Sequence, residues 1–232
     1  QRAEKELRET YGEKLNRVPC EIVADDVFDK MSDTKTPQGI LTLVRQYHYR
    51  LEELLAGKPG GTCVDKRTGR AVSIIGDVHK KNRLYLIVED IQDPGNLGTM
   101  FRTGEAVGAD GIIMSSHTVD VYNPKTIRST MGSIYRVPFA YTEDICGTIH
   151  ILQKNNICIY AADLHGEKEY DAYDYRGASA FLIGNEGNGL REETAACAEK
   201  HIVIPMEGSV ASLNAATAST VLLYEAYRQR RS

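Results

Sequence analysis

No tryptophan occurs in the 232 residues, and only four phenylalanines do. The aromatic content rests instead on 13 tyrosines, side chains that need a polar partner when buried. No apolar run comes near the ~20 residues that a bilayer crossing needs. Leu84–Val88 is typical of the runs present, so no membrane span is expected. No signal-peptide pattern opens the chain. It starts at Gln1 rather than Met, so an N-terminal piece is expected to be missing. Positive charge is not in excess either: 28 Lys and Arg against 32 Asp and Glu give a net charge of −4. That argues against a protein that coats nucleic acid indiscriminately and leaves room for local basic patches only. The five cysteines (20, 63, 146, 158 and 197) are odd in number and scattered. This pattern speaks against a disulfide framework or a zinc site and predicts reduced thiols in the cytoplasm.

Several motifs are missing too. No Gly-x-Gly-x-x-Gly follows a strand, and no Walker A sequence is present, so ATP hydrolysis is disfavoured. The absence of Cys-x-x-Cys and His-Glu-x-x-His leaves a catalytic metal without support. Without a Gly-x-Ser-x-Gly elbow, a serine hydrolase is disfavoured as well.

What is there reads as a soluble globular protein, 42% apolar and 26% charged. Leu7, Tyr11 and Leu15 put one apolar stripe on a helix over residues 1–17. Strands are expected at Glu21–Val23 and Ile40–Val44, with a short helix at Val27–Met31 between them. Residues 45–83 are broken by Gly57-Lys58-Pro59-Gly60-Gly61 and by a basic turn at 66–70. A helix over Tyr47–Leu55 and a strand over Ala71–Ile75 are expected there. From Asn82 on, strands alternate with helices. Strands are predicted at 84–91, 111–115, 137–141, 157–163, 178–183 and 201–205, and helices at 97–107, from Asn123-Pro124, and at 143–154, 191–198 and 213–230. Such alternation predicts an α/β fold with a mostly parallel sheet covered on both faces.

In such a sheet ligands sit beyond the carboxyl ends of the strands. Three of these ends are rich in Gly, Asn and Ser: Asp93-Pro94-Gly95-Asn96-Leu97-Gly98-Thr99, Gly184-Asn185-Glu186-Gly187-Asn188-Gly189, and Pro205 to Asn214. Any one of them can be a plain turn; three after strands point to a site. At these residues a resemblance emerges. Asp93 to Thr103, Phe181 to Gly187, and Ile204-Pro205-Met206 with Ser209 to Ala216 look like the three signature motifs of the TrmH (SpoU) family of the SPOUT superfamily, in order and correctly spaced over residues 84–230.

The resemblance implies an S-adenosyl-L-methionine-dependent RNA methyltransferase acting on a ribose 2′-hydroxyl, releasing S-adenosyl-L-homocysteine and using no metal. It also implies a trefoil knot, which elementary topology rules would reject, and a homodimer. Ribosomal RNA is the expected substrate, with transfer RNA as the alternative. The domains expected are a partial RNA-binding module over 1–46, a linker or peripheral segment over 47–83, and the catalytic domain over 84–232.

The resemblance also implies roles. Ile183, Gly184, Asn185, Glu186, Gly187, Ile204, Met206, Ser212, Leu213 and Asn214 are expected around the cofactor, with missing Cβ atoms letting backbone approach it. Ile204 has plain core as its alternative. Arg102, with Asn96, Glu186, Ser212 and Asn214, is the expected catalytic set. An arginine rarely gives up its proton, so anchoring phosphate suits Arg102 better than general-base work. Asn96 and Asn214 can also be helix N-caps, and the roles can coexist. Arg128 is expected to touch RNA phosphate or a dimer interface. Arg228, Arg230 and Arg231 form a basic tail or simply end a helix favourably. Competing readings are a base methyltransferase, a non-catalytic RNA-binding protein, and a small-molecule nucleotide enzyme.

Overall fold

The computed structural model describes residues 2–12, 18–32, 34, 36–47, 49–56, 62–64, 71–73 and 82–231. The chain falls into two compact units, Gln1–Gln46 and Tyr47–Ser232.

The first unit holds α1 (Arg2–Tyr11) and α2 (Asp25–Met31). The side chains of the predicted stripe Leu7, Tyr11 and Leu15 lie outside what is described. The strands expected at Glu21–Val23 and Ile40–Val44 are not formed: these residues are irregular and exposed, Ile22 by 71% and Leu43 by 93%. A strand gains its hydrogen bonds only from a neighbour, and no partner strand occurs among the described residues of this unit. β propensity alone therefore left these segments unpaired.

The second unit begins with α3 (Leu51–Ala56) and an antiparallel pair, β1 (Thr62–Val64) and β2 (Ala71–Ser73). The breaks at 57–61 and 66–70 and the predicted strand residues Ile74 and Ile75 lie outside the described residues. Although expected in a peripheral segment, α3 contributes to the core. Leu54 is 2% exposed against Tyr85 and Ile87, and a Cβ on Gly111 would stand 2.9 Å from it.

The main sheet has seven strands: β3 (Leu84–Val88), β4 (Gly111–Ser115), β5 (Phe139–Thr142), β6 (Cys158–Ala162), β7 (Lys168–Glu169), β8 (Ser179–Ile183) and β9 (Lys200–Val203). Their order is β5-β4-β3-β8-β6-β9-β7, with every pairing parallel. Strand β3 is buried on both faces, which explains why it reads as a continuous apolar run rather than an alternating one. Leu84, Leu86 and Val88 face one core, while Tyr85 and Ile87 face the other.

The first core is closed by α4 (Pro94–Val107) and α8 (Ala215–Arg230), through Leu97, Phe101, Leu222 and Leu223. The second is closed by α3 and α6 (Ile145–Lys154), through Ile145, Ile149 and Leu152. Each such side chain contributes ~1.5–3 kcal/mol on burial. Helix α5 (Pro124–Thr130) packs on α4, so tightly that a Cβ on Gly98 would fall 1.8 Å from Ser129 Oγ. The short α7 (Glu192–Ala195) precedes β9.

Strands β3, β4 and β5 step outward in one direction. Strand β6 starts on the opposite side of β3, and β8 fills the slot between them. This is the reversal at which α/β sheets open a crevice at their carboxyl ends. After β9 the chain returns across those ends, since Asn214 bonds to Asn96 on α4. The trefoil knot that the resemblance implies concerns this returning segment.

The basic tail is not free. Arg230 turns inward and donates to the carbonyls of Tyr175 (2.8 Å), Asn82 (2.9 Å), Gly177 (2.6 Å) and Arg83 (3.2 Å). Burial lowers its pKa, the attractions of Asp110 and Tyr160 opposing. Arg228 pairs with Glu225 at 2.7 Å, and Arg231 sits over the Tyr227 ring. Arg230 thus fastens the end of α8 to the segments that lead into β3 and β8. Arg230→Leu is expected to cost about 3 kcal/mol, since hydrogen bonds from a charged donor are the strong kind. For a chain of this size that lowers Tm by roughly 6–12 °C. Calorimetric melting checks it; an unchanged Tm would contradict this reading.

Candidate active site

The loop after β3 is set by two residues with unusual jobs. Asp90 holds a left-handed backbone at φ 55°, a conformation that Asp tolerates better than most residues. Ser115, at the end of β4, accepts from its N–H at 2.7 Å and donates to its carboxylate at 2.6 Å. Asp93 then caps α4, accepting from the Asn96 N–H at 2.7 Å, with Pro94 in the first turn. The helix therefore starts at Pro94, three residues before the expected Leu97. Asn96 is not its cap, so the Asn96 side chain is available for other contacts.

Those contacts join the three loops. Asn96 Nδ2 donates to Glu186 Oε1 at 2.8 Å, and Asn96 Oδ1 accepts from Asn214 Nδ2 at 2.9 Å. Asn214 Oδ1 accepts from the N–H groups of Ala216 (2.9 Å) and Thr217 (3.2 Å), so it caps α8 as well. Glu186 also accepts from the backbone of Gln92 and Asp93, each at 3.2 Å. Burial raises the Glu186 pKa, but the Asn96 amide and these N–H groups outweigh it, and the net shift is downward. Glu186 is an anion near neutral pH, its charge met by donors rather than by a cation.

The loop after β8 is pinned further. Asn185 and Gly189 exchange backbone bonds at 3.0 and 2.9 Å. Asn185 Nδ2 donates to the Asp90 carbonyl at 2.7 Å, and its Oδ1 accepts from Gly187 and Asn188. Gly184 is needed by the chain itself: a Cβ there would stand 2.2 Å from Gly189 C and Leu190 N. The crossing of the loop on itself therefore requires glycine here, whatever backbone the loop also offers a ligand. Ile183 is the last residue of β8. It is 2% exposed in the core, and its carbonyl already accepts from the Glu89 N–H at 2.9 Å.

The returning segment has a mixed character. Ile204, Met206 and Leu213 are half-buried, a set able to form an apolar wall. Ser212 is exposed and makes no hydrogen bond among the described residues. Arg102 is exposed on α4 in a stripe with Gly95, Thr99 and Ala106, and has no hydrogen bond or ion pair among the described residues. It stands about 9 Å along the axis from Asn96, six residues on. Arg128 is exposed on α5. No group of residues able to hold a metal ion occurs among the described residues. A cavity of about 590 Å³ between Tyr170 and the Tyr224, Tyr227 and Arg231 side of α8 shares no residue with these loops.

Sequence reasoning missed Glu89, Asp90 and Arg191, and placed Asp93 in the first motif without its cap role. Glu89 is 1% exposed and binds Arg191 and Thr194. The signal was two adjacent acids ending a fully apolar strand, where a buried carboxylate must find donors.

The family model described as SpoU rRNA Methylase family matches residues 83–224. The chain is 28% identical over 207 residues to the 23S rRNA (guanosine(2553)-2′-O)-methyltransferase RlmP of Bacillus subtilis, covering 89% of this chain and 72% of that protein. It is 37% identical over 156 residues to the 23S rRNA (uridine(2479)-2′-O)-methyltransferase of Streptomyces viridochromogenes, covering 65% of this chain but about half (54%) of the relative. The crystal structure of an AdoMet-bound rRNA methyltransferase from Sinorhizobium meliloti superposes with a TM-score of 0.71 at 30% identity, covering 89% of this chain and 70% of that one. The family match runs from the residue before β3 into α8 and takes in all three loops, so the chain belongs to the SpoU rRNA Methylase family.

Proposed function

We propose that this chain is an RNA methyltransferase that moves a methyl group from S-adenosyl-L-methionine to a ribose 2′-hydroxyl, with ribosomal RNA as its substrate. The observation that carries the reading is the hydrogen-bonded series Glu186–Asn96–Asn214, which ties three strand-end loops together on the helix that also carries Arg102, exposed and without a hydrogen bond or ion pair among the described residues. The relatives bear on the substrate: the Bacillus and Streptomyces proteins are named for 2′-O-methylation of 23S rRNA. Their names favour ribosomal over transfer RNA.

The residues present fit the cofactor. Half-buried Ile204, Met206 and Leu213 suit an adenine face, and Gly187 leaves open room, since a Cβ there would meet only Asn185 Oδ1 at 3.5 Å. When bound, S-adenosyl-L-methionine supplies an electrophilic methyl on a sulfonium. The Gly184–Gly189 loop and Asn214 hold it, and Glu186 keeps that loop in place with an anionic carboxylate. Arg102 grips the RNA phosphate beside the target ribose. Its permanent charge lowers the pKa of the neighbouring hydroxyl without accepting the proton, which would pass to solvent water as the oxygen takes the methyl and S-adenosyl-L-homocysteine leaves. Ser212 orients that hydroxyl, and Arg128 adds a phosphate contact. The chain works as a homodimer, for which the open stripe Gly95, Thr99, Arg102 and Ala106 on α4 offers a surface. Residues 1–46 assist in holding RNA.

Calorimetric titration with S-adenosyl-L-methionine, followed by transfer of labelled methyl to separate unmodified ribosomal and transfer RNA pools, tests this. One-to-one binding and labelling of ribosomal RNA are expected. Labelling of transfer RNA alone would overturn the substrate, and no binding would overturn the function.

A further inference from the structure

Glu89 is the first residue after β3 and is 1% exposed, yet no step of the proposed transfer uses it. A buried carboxylate is costly unless its lone pairs are filled, and here they are. Oε2 accepts from the Arg191 N–H at 2.8 Å, and Oε1 accepts from Arg191 Nε at 2.7 Å and from the Thr194 hydroxyl at 2.6 Å. Its own N–H donates to the Ile183 carbonyl at 2.9 Å. Ile183 immediately precedes the Gly184–Gly189 loop, and Arg191 lies just beyond it. One residue therefore holds the loop at both ends.

Core filling does not account for this carboxylate. The Arg191 side chain is 47% exposed, and an apolar residue would fill the same space without a desolvation cost. What the anion adds is a fixed exit for the loop. Asp90, next in sequence, fixes the start of the loop through its carbonyl, which accepts from Asn185 Nδ2. We infer that Glu89 is a positioning residue for the cofactor loop, a buried anion that holds Arg191 and Thr194 so that Gly184–Gly189 presents one backbone arrangement to S-adenosyl-L-methionine. The inference rests on the proposed cofactor site.

The test is calorimetry with both S-adenosyl-L-methionine and S-adenosyl-L-homocysteine, beside thermal melting. The variants are Glu89→Gln, Arg191→Gln and their combination. Each single change is expected to raise Kd about tenfold, as the loss of a hydrogen bond to a charged group would. The rise should be equal for the two ligands, because Glu89 acts through loop geometry and not on the sulfonium charge. The double variant should be no worse than the weaker single one, since the two residues act as a unit. A Kd within about twofold of the unaltered chain for Glu89→Gln, however far Tm falls, overturns the inference. A rise confined to S-adenosyl-L-methionine overturns it too, making Glu89 a charge partner instead. If Glu89→Gln does not fold, Thr194→Val removes one bond to the same carboxylate; about a threefold rise in Kd is expected, and no rise overturns the inference. An unaltered chain that binds neither ligand removes the proposed function and this inference together, whereas normal binding by Glu89→Gln removes the inference alone.

Discussion

Arg102→Lys is expected to lower methyl transfer on the order of 10²-fold or more while leaving S-adenosyl-L-methionine affinity unchanged. Removing one preorganised donor from a developing charge costs about that much in other enzymes. Lysine keeps the charge, but it loses the flat fork that grips two oxygens at once. The geometry separates the two effects. Arg102 lies on the exposed stripe of α4, about 9 Å along the axis from the Asn96 that ties to Glu186. It makes no hydrogen bond or ion pair to either loop among the described residues. Single-turnover transfer beside calorimetric binding reads both numbers. A parallel loss of cofactor affinity would mean that Arg102 holds the Gly184–Gly189 loop, not the RNA.

The second large effect is expected at Gly184. A Cβ there would stand 2.2 Å from the backbone of Gly189 and Leu190, where no flexible side chain can yield. Overpacking of this kind costs ~1–3 kcal/mol. Placed on the loop proposed to hold the cofactor, Gly184→Ala should weaken S-adenosyl-L-methionine binding about tenfold to a hundredfold. Gly177→Ala, whose Cβ would meet nothing within 4 Å, is the matched control and should bind normally. Binding by Gly184→Ala equal to the control would show that the loop can shift at no cost.

The sheet was legible because its strands are buried on both faces and read as short apolar runs between helices. Leu84–Val88 and Ser179–Ile183 are the clearest, and all five residues of each are buried. Helix ends followed cap chemistry at Asn123, Gly108 and Asn214. The N-terminal strands failed because their apolar residues, Ile22 and Leu43 among them, have no strand to pair with among the described residues. Strand β7, only two residues long, carries no periodicity to detect. At the site, the resemblance to the family's motifs put Glu186, Asn96 and Asn214 in one set with Arg102 and Ser212, and the structure joins the first three by direct bonds. Pattern did not say what each glycine is for: Gly184 answers to its own loop. Nor did it reveal Arg230 as a four-carbonyl clamp, because a terminal arginine on a helix looks the same whether it turns out or in. Glu89 and Asp90 escaped for a related reason, since their meaning lies in partners 102 and 95 residues away.

The most direct measurement of the central claim is the chemical position of the transferred methyl. Unmodified ribosomal RNA is incubated with the chain and labelled S-adenosyl-L-methionine, then hydrolysed in alkali. A ribose carrying a 2′-O-methyl cannot assist cleavage of its own phosphodiester, so the account predicts label in an alkali-resistant dinucleotide from one position. Label recovered in single nucleotides would place the methyl on a base, and would contradict the ribose-directed roles of Arg102 and Ser212.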